Sequence, residues 1–200
     1  QSMQTMQITN VRTVSHPWLM LILRSALFPL FQALIALIFV VTGKTIAQAW
    51  DESARYWTLI VSLANFASIY LLIRLYNAEG KRFFDLFKFS RAEWKKDLLW
   101  FIIFSIIALP FVDAPREPLA KAIFGDAMIA TNLLFRPIPT WAFVLSFLFP
   151  LTFAFAELPI YFAFAMPRLS RQIFGCLAWL LASFFLAAQH MFLPAILDCG

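Results

Sequence analysis

The sequence is poor in charge, glycine, cysteine and histidine. Only 14% of its 200 residues are charged, where roughly a quarter would be charged in a soluble domain. A water-exposed globular surface is therefore excluded. Five scattered glycines leave no Gly-rich phosphate loop. The two cysteines, Cys176 and Cys199, lie in or beside the last apolar run without metal or redox spacing. They read as small apolar residues, and no disulfide is expected. Of the two histidines, His16 lies in the polar N-terminal stretch and His190 in an apolar run. No H-E-x-x-H pattern and no Ser-His-Asp arrangement is legible. The first ten residues are polar and uncharged, unlike the basic start of a cleaved signal peptide. The chain opens at Gln1 and stops at Gly200 just after an apolar run, and both ends read as those of a fragment.

What is present is hydrophobic. Apolar residues make up 62% of the chain, including 24 Phe and 7 Trp, and mean hydropathy is +0.78. That is more apolar surface than one small soluble core hides. The expectation is an all-α, polytopic transmembrane helical bundle, since helices satisfy their own backbone in lipid. About 20 apolar residues cross a bilayer, which places five spans near 27–41, 56–75, 98–112, 140–166 and 174–197. The first reaches back to Trp18 if Arg24 snorkels, and otherwise starts after it. Pro150, Pro159 and Pro194 are expected to kink their helices. The chain divides into a polar N-terminal segment (1–17), upstream helices with a basic link at 76–97 (18–138), and core helices (139–200). No internal repeat is visible.

The net charge of +5 is explained by topology and anionic headgroups, and no nucleic-acid partner is expected. Arg74, Lys81, Arg82, Lys88, Arg91, Lys95 and Lys96 cluster between spans two and three, and Arg168 and Arg171 lie between spans four and five. The positive-inside rule puts both links, and the N-terminus with Arg12, in the cytoplasm. In the first link bulky apolar and basic residues alternate. Phe83, Phe84, Leu86, Phe87 and Trp94 are expected in the headgroup layer, as a surface-lying connector or as a means of capturing a lipid or a substrate tail.

Glu157 is the lone acid in the apolar run 139–166. A carboxyl group inside a membrane helix is costly and marks a functional-site hypothesis with a partner to be found. The candidate partner is His190, 33 positions on. In an antiparallel hairpin, equal depth needs a turn near 173–174, beside Gly175 and after the polar stretch R-L-S-R-Q. Each residue then sits roughly 24 Å down its helix. A carboxylate can take a proton from water while an imidazole orients that water or stabilises developing charge. Gln189, next to His190 in sequence, is expected to point elsewhere on its helix; Ser183 and Asp198 fall near the face of His190. A structural reading stands beside the catalytic one, in which a Glu–His pair simply joins two helices. One Glu and one His are too few ligands for a metal.

Glu157-Leu158-Pro159-Ile160-Tyr161-Phe162 runs on to Pro167-Arg168-Leu169, and Leu186-Ala187-Ala188-Gln189-His190 follows on the next apolar run. These stretches resemble the CAAX protease and bacteriocin-processing family (Abi, or type II CAAX prenyl endopeptidase-like). Its motifs are E-E-x-x-x-R, continuing to P-R-L, and F-x-x-x-H on the next helix. The segment E-G-K-R-F-F-D-L-F-K-F is also similar to the stretch before the core in bacterial members. In register with P-R-L, Glu157 falls on the first glutamate, which the resemblance implies activates water, and His190 falls on the family histidine. Leu158 replaces the second glutamate, Phe162 the arginine and Leu186 the phenylalanine. The family's later histidine and its asparagine or aspartate would lie beyond Gly200. The resemblance implies an intramembrane endopeptidase of the bacterial cytoplasmic membrane, acting on a peptide or lipid-modified peptide among membrane lipids. It also raises a divalent metal cofactor, which the ligand count does not support. Two rivals remain: a non-catalytic scaffold or immunity-type protein with a degenerate site, and a proton-coupled small transporter using Glu157 as a relay.

Overall fold

A computed structural model describes residues 16–87, 92–114, 116–126, 128, 132 and 134–198. Among the described residues the chain is all-helical. Helix α1 (Pro17–Val41) opens on a proline at its first position, where the missing N–H costs nothing. It closes with Gly43 at φ +97, and the Gly43 and Lys44 N–H groups reach back to the Val40 and Phe39 carbonyls. This Schellman geometry is available to glycine because it has no Cβ. A capping box of Thr45 and Gln48 starts the short α2 (Ile46–Ala54). Helix α3 (Trp57–Ala78) ends as α1 does. Gly80 has φ +70, and the Gly80 and Lys81 N–H groups bond the Asn77 and Tyr76 carbonyls. The chain thereby turns back over the end of α3 into a single 3₁₀ turn, Phe83–Leu86.

Helices α4 (Trp94–Asp113) and α5 (Arg116–Phe124) follow. The long apolar run after them is one rod broken in two places. It comprises α6 (Thr140–Ser146), α7 (Leu148–Leu158), a π-helical segment (Pro159–Ala165) and α8 (Met166–Leu169). Pro150 cannot donate to the Ser146 carbonyl, and the break falls at Phe147, between α6 and α7. Pro159 opens the π segment. Pro167 likewise deprives the Ala163 carbonyl of its helical donor; the Tyr76 hydroxyl donates to that carbonyl instead, at 3.0 Å. A tight turn over Ser170–Phe174 leads into α9 (Gly175–Asp198), as equal-depth pairing of Glu157 and His190 requires. α9 runs on through Pro194 as one helix.

Three of these rods are long and apolar enough to cross a membrane: Pro17–Val41, Trp57–Ala78 and Thr140–Leu169. They form the packed centre. α1 lies against α2, α3 and α9, and α3 runs along α7. The main core joins Met20 and Leu21 of α1, Leu72 and Tyr76 of α3, Phe83, and Ile160, Tyr161 and Phe164 of the π segment. The outer faces carry large exposed apolar side chains, among them Leu37, Ile38, Trp141, Phe147 and Trp179. That is the pattern of helices solvated by lipid. α4 makes its main contacts with α5, and Trp100, Phe101 and Phe104 on it are exposed.

Two sequence expectations fail here. The sequence places Phe83 in the headgroup layer with its neighbours, yet it is only 2% exposed and packs on Tyr76. The Gly80 turn aims it inward, while Phe84, Leu86, Phe87 and Trp94 stay exposed. Arg24 neither snorkels nor marks the start of a span. α1 begins seven residues before it, and Arg24 is 1% exposed. The expectations for Lys88, Arg91, Cys199 and Arg12 lie outside the described residues; Cys176 is free and exposed.

Candidate functional site

The buried face of α1 repeats every fourth residue: Arg24, Phe28, Gln32 and Ala36. This spacing puts Arg24 on the seam with α3, α7 and α9. Its guanidinium forks between two partners. Nη1 donates to Glu157 Oε1 at 3.0 Å and Nη2 to Asn65 Oδ1 at 2.8 Å. The Phe28 and Phe153 rings flank it at 5.7 and 5.9 Å, close enough for cation–π attraction. Asn65, from the middle of α3, donates from Nδ2 to Thr152 Oγ1 at 3.0 Å. Thr152 in turn donates back to the Leu148 carbonyl. On the other side, Gln189 Nε2 donates to Glu157 Oε1, and the Tyr161 hydroxyl donates to Gln189 Oε1 at 3.1 Å. One hydrogen-bonded chain therefore links α1, α3, α7, the π segment and α9 at the depth of Glu157.

Glu157 is 3% exposed. A charge buried this far is tolerable when it is paired and its remaining hydrogen-bonding positions are served. Arg24 makes the unit neutral, and Asn65 and Gln189 supply the polar partners that lipid cannot. Arg24 Nε and both amide atoms of Gln32 have no partner among the described residues.

The structure does bring Glu157 and His190 together. His190 Nε2 lies 3.8 Å from Glu157 Oε1, and its Nδ1 pairs with the Leu186 carbonyl at 2.8 Å. The imidazole is 59% exposed, so it stands at the rim of the buried cluster. Gln189 departs from the sequence expectation. It does not point away but takes the closer place on the carboxylate. Glu157 faces the seam between two positions of α9, so side chains at 189 and 190 both reach it. Leu158 is 55% exposed and turned from the cluster; Ser183 is half-buried. Nothing is described of the Asp198 side chain.

Arg24, Glu157, Gln189 and His190 line one side of a cavity of about 210 Å³. Phe28, Trp57, Val61, Phe149 and Leu193 form its apolar walls, with Leu134 at one edge. The Trp57 indole N–H holds the Leu134 carbonyl at 2.6 Å, which ties the segment before α6 to the bundle. The volume has room for water beside a piece of apolar or peptide chain. A carboxylate offers roughly four acceptor positions, which its three described neighbours do not exhaust. Among the described residues no three His, Cys, Asp or Glu side chains gather to hold a metal. A divalent metal does not fit the donor set at Glu157, where one carboxylate and one imidazole are the only such ligands among the described residues and a guanidinium already holds Oε1.

The sequence held a signal for Arg24, since its i, i+4, i+8 stripe with Phe28 and Gln32 marks a buried face. Asn65 in the middle of an apolar run was a second signal. No family model, curated protein or solved structure matches this chain.

Proposed function

We propose that the chain is a five-span membrane protein that works as an intramembrane endopeptidase. Besides the three long rods, α4 (20 residues) and α9 (24 residues) would supply the other spans. The basic links would face the cytoplasm. In this reading Glu157 takes a proton from water, the resulting hydroxide attacks the scissile carbonyl, and His190 Nε2, left an acceptor by the Nδ1–H bond to the Leu186 carbonyl, orients that water. The proton then passes from Glu157 to the leaving amine. Gln189 and Arg24 hold the carboxylate in place. The family resemblance calls for an arginine where Phe162 stands, and Arg24 brings a guanidinium to the same carboxylate from α1. The observation that carries the reading is the 3.8 Å approach of carboxylate and imidazole at the wall of an otherwise apolar cavity.

The test is cleavage of peptide and lipid-modified peptide libraries by the reconstituted protein. Glu157→Gln and His190→Ala should each lower turnover by about 10²–10⁴-fold. Unchanged turnover in both overturns the assignment. A second reading, a non-catalytic scaffold, is favoured by the Arg24–Glu157–Gln189 bonds, which join three helices without a substrate. Under it, Glu157→Gln changes partner binding or protection while no cleavage is found in either form.

A further inference from the structure

A second polar cavity, of about 260 Å³, opens where α3, α8 and the 3₁₀ turn end together. It is separate from the Glu157 cavity, and the peptidase reading makes no use of it. Glu79 organises it. One carboxylate oxygen takes Arg168 Nη2 at 2.5 Å and the other takes Lys81 Nζ at 2.9 Å. Arg168 is fixed further by its Nη1 bond to the Phe164 carbonyl and by lying 3.6 Å over the Phe164 ring. The Gly80 turn sets the position of Lys81. Arg171, exposed in the turn after α8, completes the lining. Three cations therefore face the cavity against one carboxylate. An ammonium has three donors and a guanidinium five, so Lys81 and Arg168 keep donors beyond those that Glu79 takes. Arg82 lines an adjoining cavity that shares Lys81.

The depth of this cavity is marked by Trp18, whose indole N–H meets Gln172 at the same end of the bundle. Indoles favour the membrane–water boundary. Leu86 of the 3₁₀ turn forms part of the wall, and Phe84 in the same turn and Phe87 just after it are exposed. A cationic cavity at headgroup depth with an apolar ridge next to it matches a phosphate that carries acyl chains.

We propose that Lys81, Arg168 and Arg171 bind the phosphate of an anionic phospholipid, with Glu79 positioning the first two and Phe84 and Phe87 contacting the acyl chains. The test uses the whole chain in detergent micelles, with phosphatidylglycerol and phosphatidylcholine binding followed by native mass spectrometry. The unaltered protein should prefer phosphatidylglycerol. Lys81→Gln with Arg171→Gln removes two exposed cations and should weaken phosphatidylglycerol binding by about tenfold or more, and that of phosphatidylcholine, whose phosphate is balanced by its own choline cation, by much less. Lys81→Arg with Arg171→Lys should restore the preference. Lys44→Gln with Arg55→Gln, at the opposite end of α1, should not change it. An unchanged preference in the Lys81/Arg171 variant overturns the site, as does an equal loss in the Lys44/Arg55 variant. Complete displacement of lipid by millimolar inorganic phosphate, dependent on the same two residues, overturns the lipid as ligand in favour of free phosphate.

Discussion

Two arginine–glutamate pairs sit along the same rod, and they differ in what surrounds them. Arg24–Glu157 lies in the middle of the bundle, and neighbouring protein groups serve it: Asn65, Thr152, Gln189 and Tyr161. Arg168–Glu79 lies at the end of the rod, where Lys81 and Arg171 stay exposed. The chemistry is the same, but the surroundings set the role. With no water to finish the hydrogen bonding, an interior pair draws in every polar side chain within reach and ties helices together. At the headgroup boundary, a pair can leave donors open for something outside the protein.

The comparison breaks most sharply at Arg24. Arg24→Met should cost about 3–5 kcal/mol, because it leaves an uncompensated buried carboxylate. Thermal unfolding in detergent measures the loss. Arg24→Met with Glu157→Leu should recover most of it, because a well-packed apolar pair can replace a buried ion pair. A double variant as unstable as the single would mean that the carboxylate is not the source of the cost.

Next in size is Glu79. Burial alone would raise its carboxyl, but the hydrogen bonds from Arg168 and Lys81 outweigh that and hold it below the ordinary 4.5. A depressed folded value means stability that is fully present above about 4.5 and lost as the pH falls through the lower folded value. Unfolding followed from pH 6 down to pH 3 should show this decline, and Glu79→Gln should flatten that part of the curve. An equally steep decline in the variant would assign it to other carboxylates.

Smaller effects sharpen the picture. Tyr76→Phe removes the donor on the Ala163 carbonyl and should cost about 1 kcal/mol. Asn65→Ala strips one bond from Arg24 and one from Thr152, and should cost about 1–3 kcal/mol if no water replaces the amide. At the far end of α1, Glu52 pairs with Lys44 and Arg55 at 3.0 and 2.9 Å. These side chains are 25–38% exposed. Glu52→Gln should therefore shift unfolding by less than about 1 kcal/mol.

Much of the scaffold is legible in the sequence because apolar length and proline position act locally. The expected break at Pro150 appears between α6 and α7. The midpoint between Glu157 and His190 located the turn into α9, since a hairpin fixes depth by counting alone. What counting does not give is rotation. Arg24 and Asn65 reach Glu157 from helices far away in the chain, and which face each turns inward depends on packing. Gln189 escapes counting for the same reason, because a carboxylate in a seam is reached from two adjacent positions. Phe83 escapes it because one glycine turn reverses the chain and redirects the side chain that follows.

The π segment Pro159–Ala165 lies between the two pairs on this rod. A π turn holds one residue more than an α turn, which offsets everything beyond it by about 100° of helical phase. Deleting one residue would remove the offset, whereas winding 159–165 as ordinary α-helix with all its residues kept would misalign the two halves. If Arg168 stayed on Glu79, Glu157 would swing off Arg24; if Glu157 stayed, Arg168 would leave Glu79. The rod is thus a keyed shaft, whose phase through the π segment sets both the Arg24–Glu157 and the Arg168–Glu79 pairs.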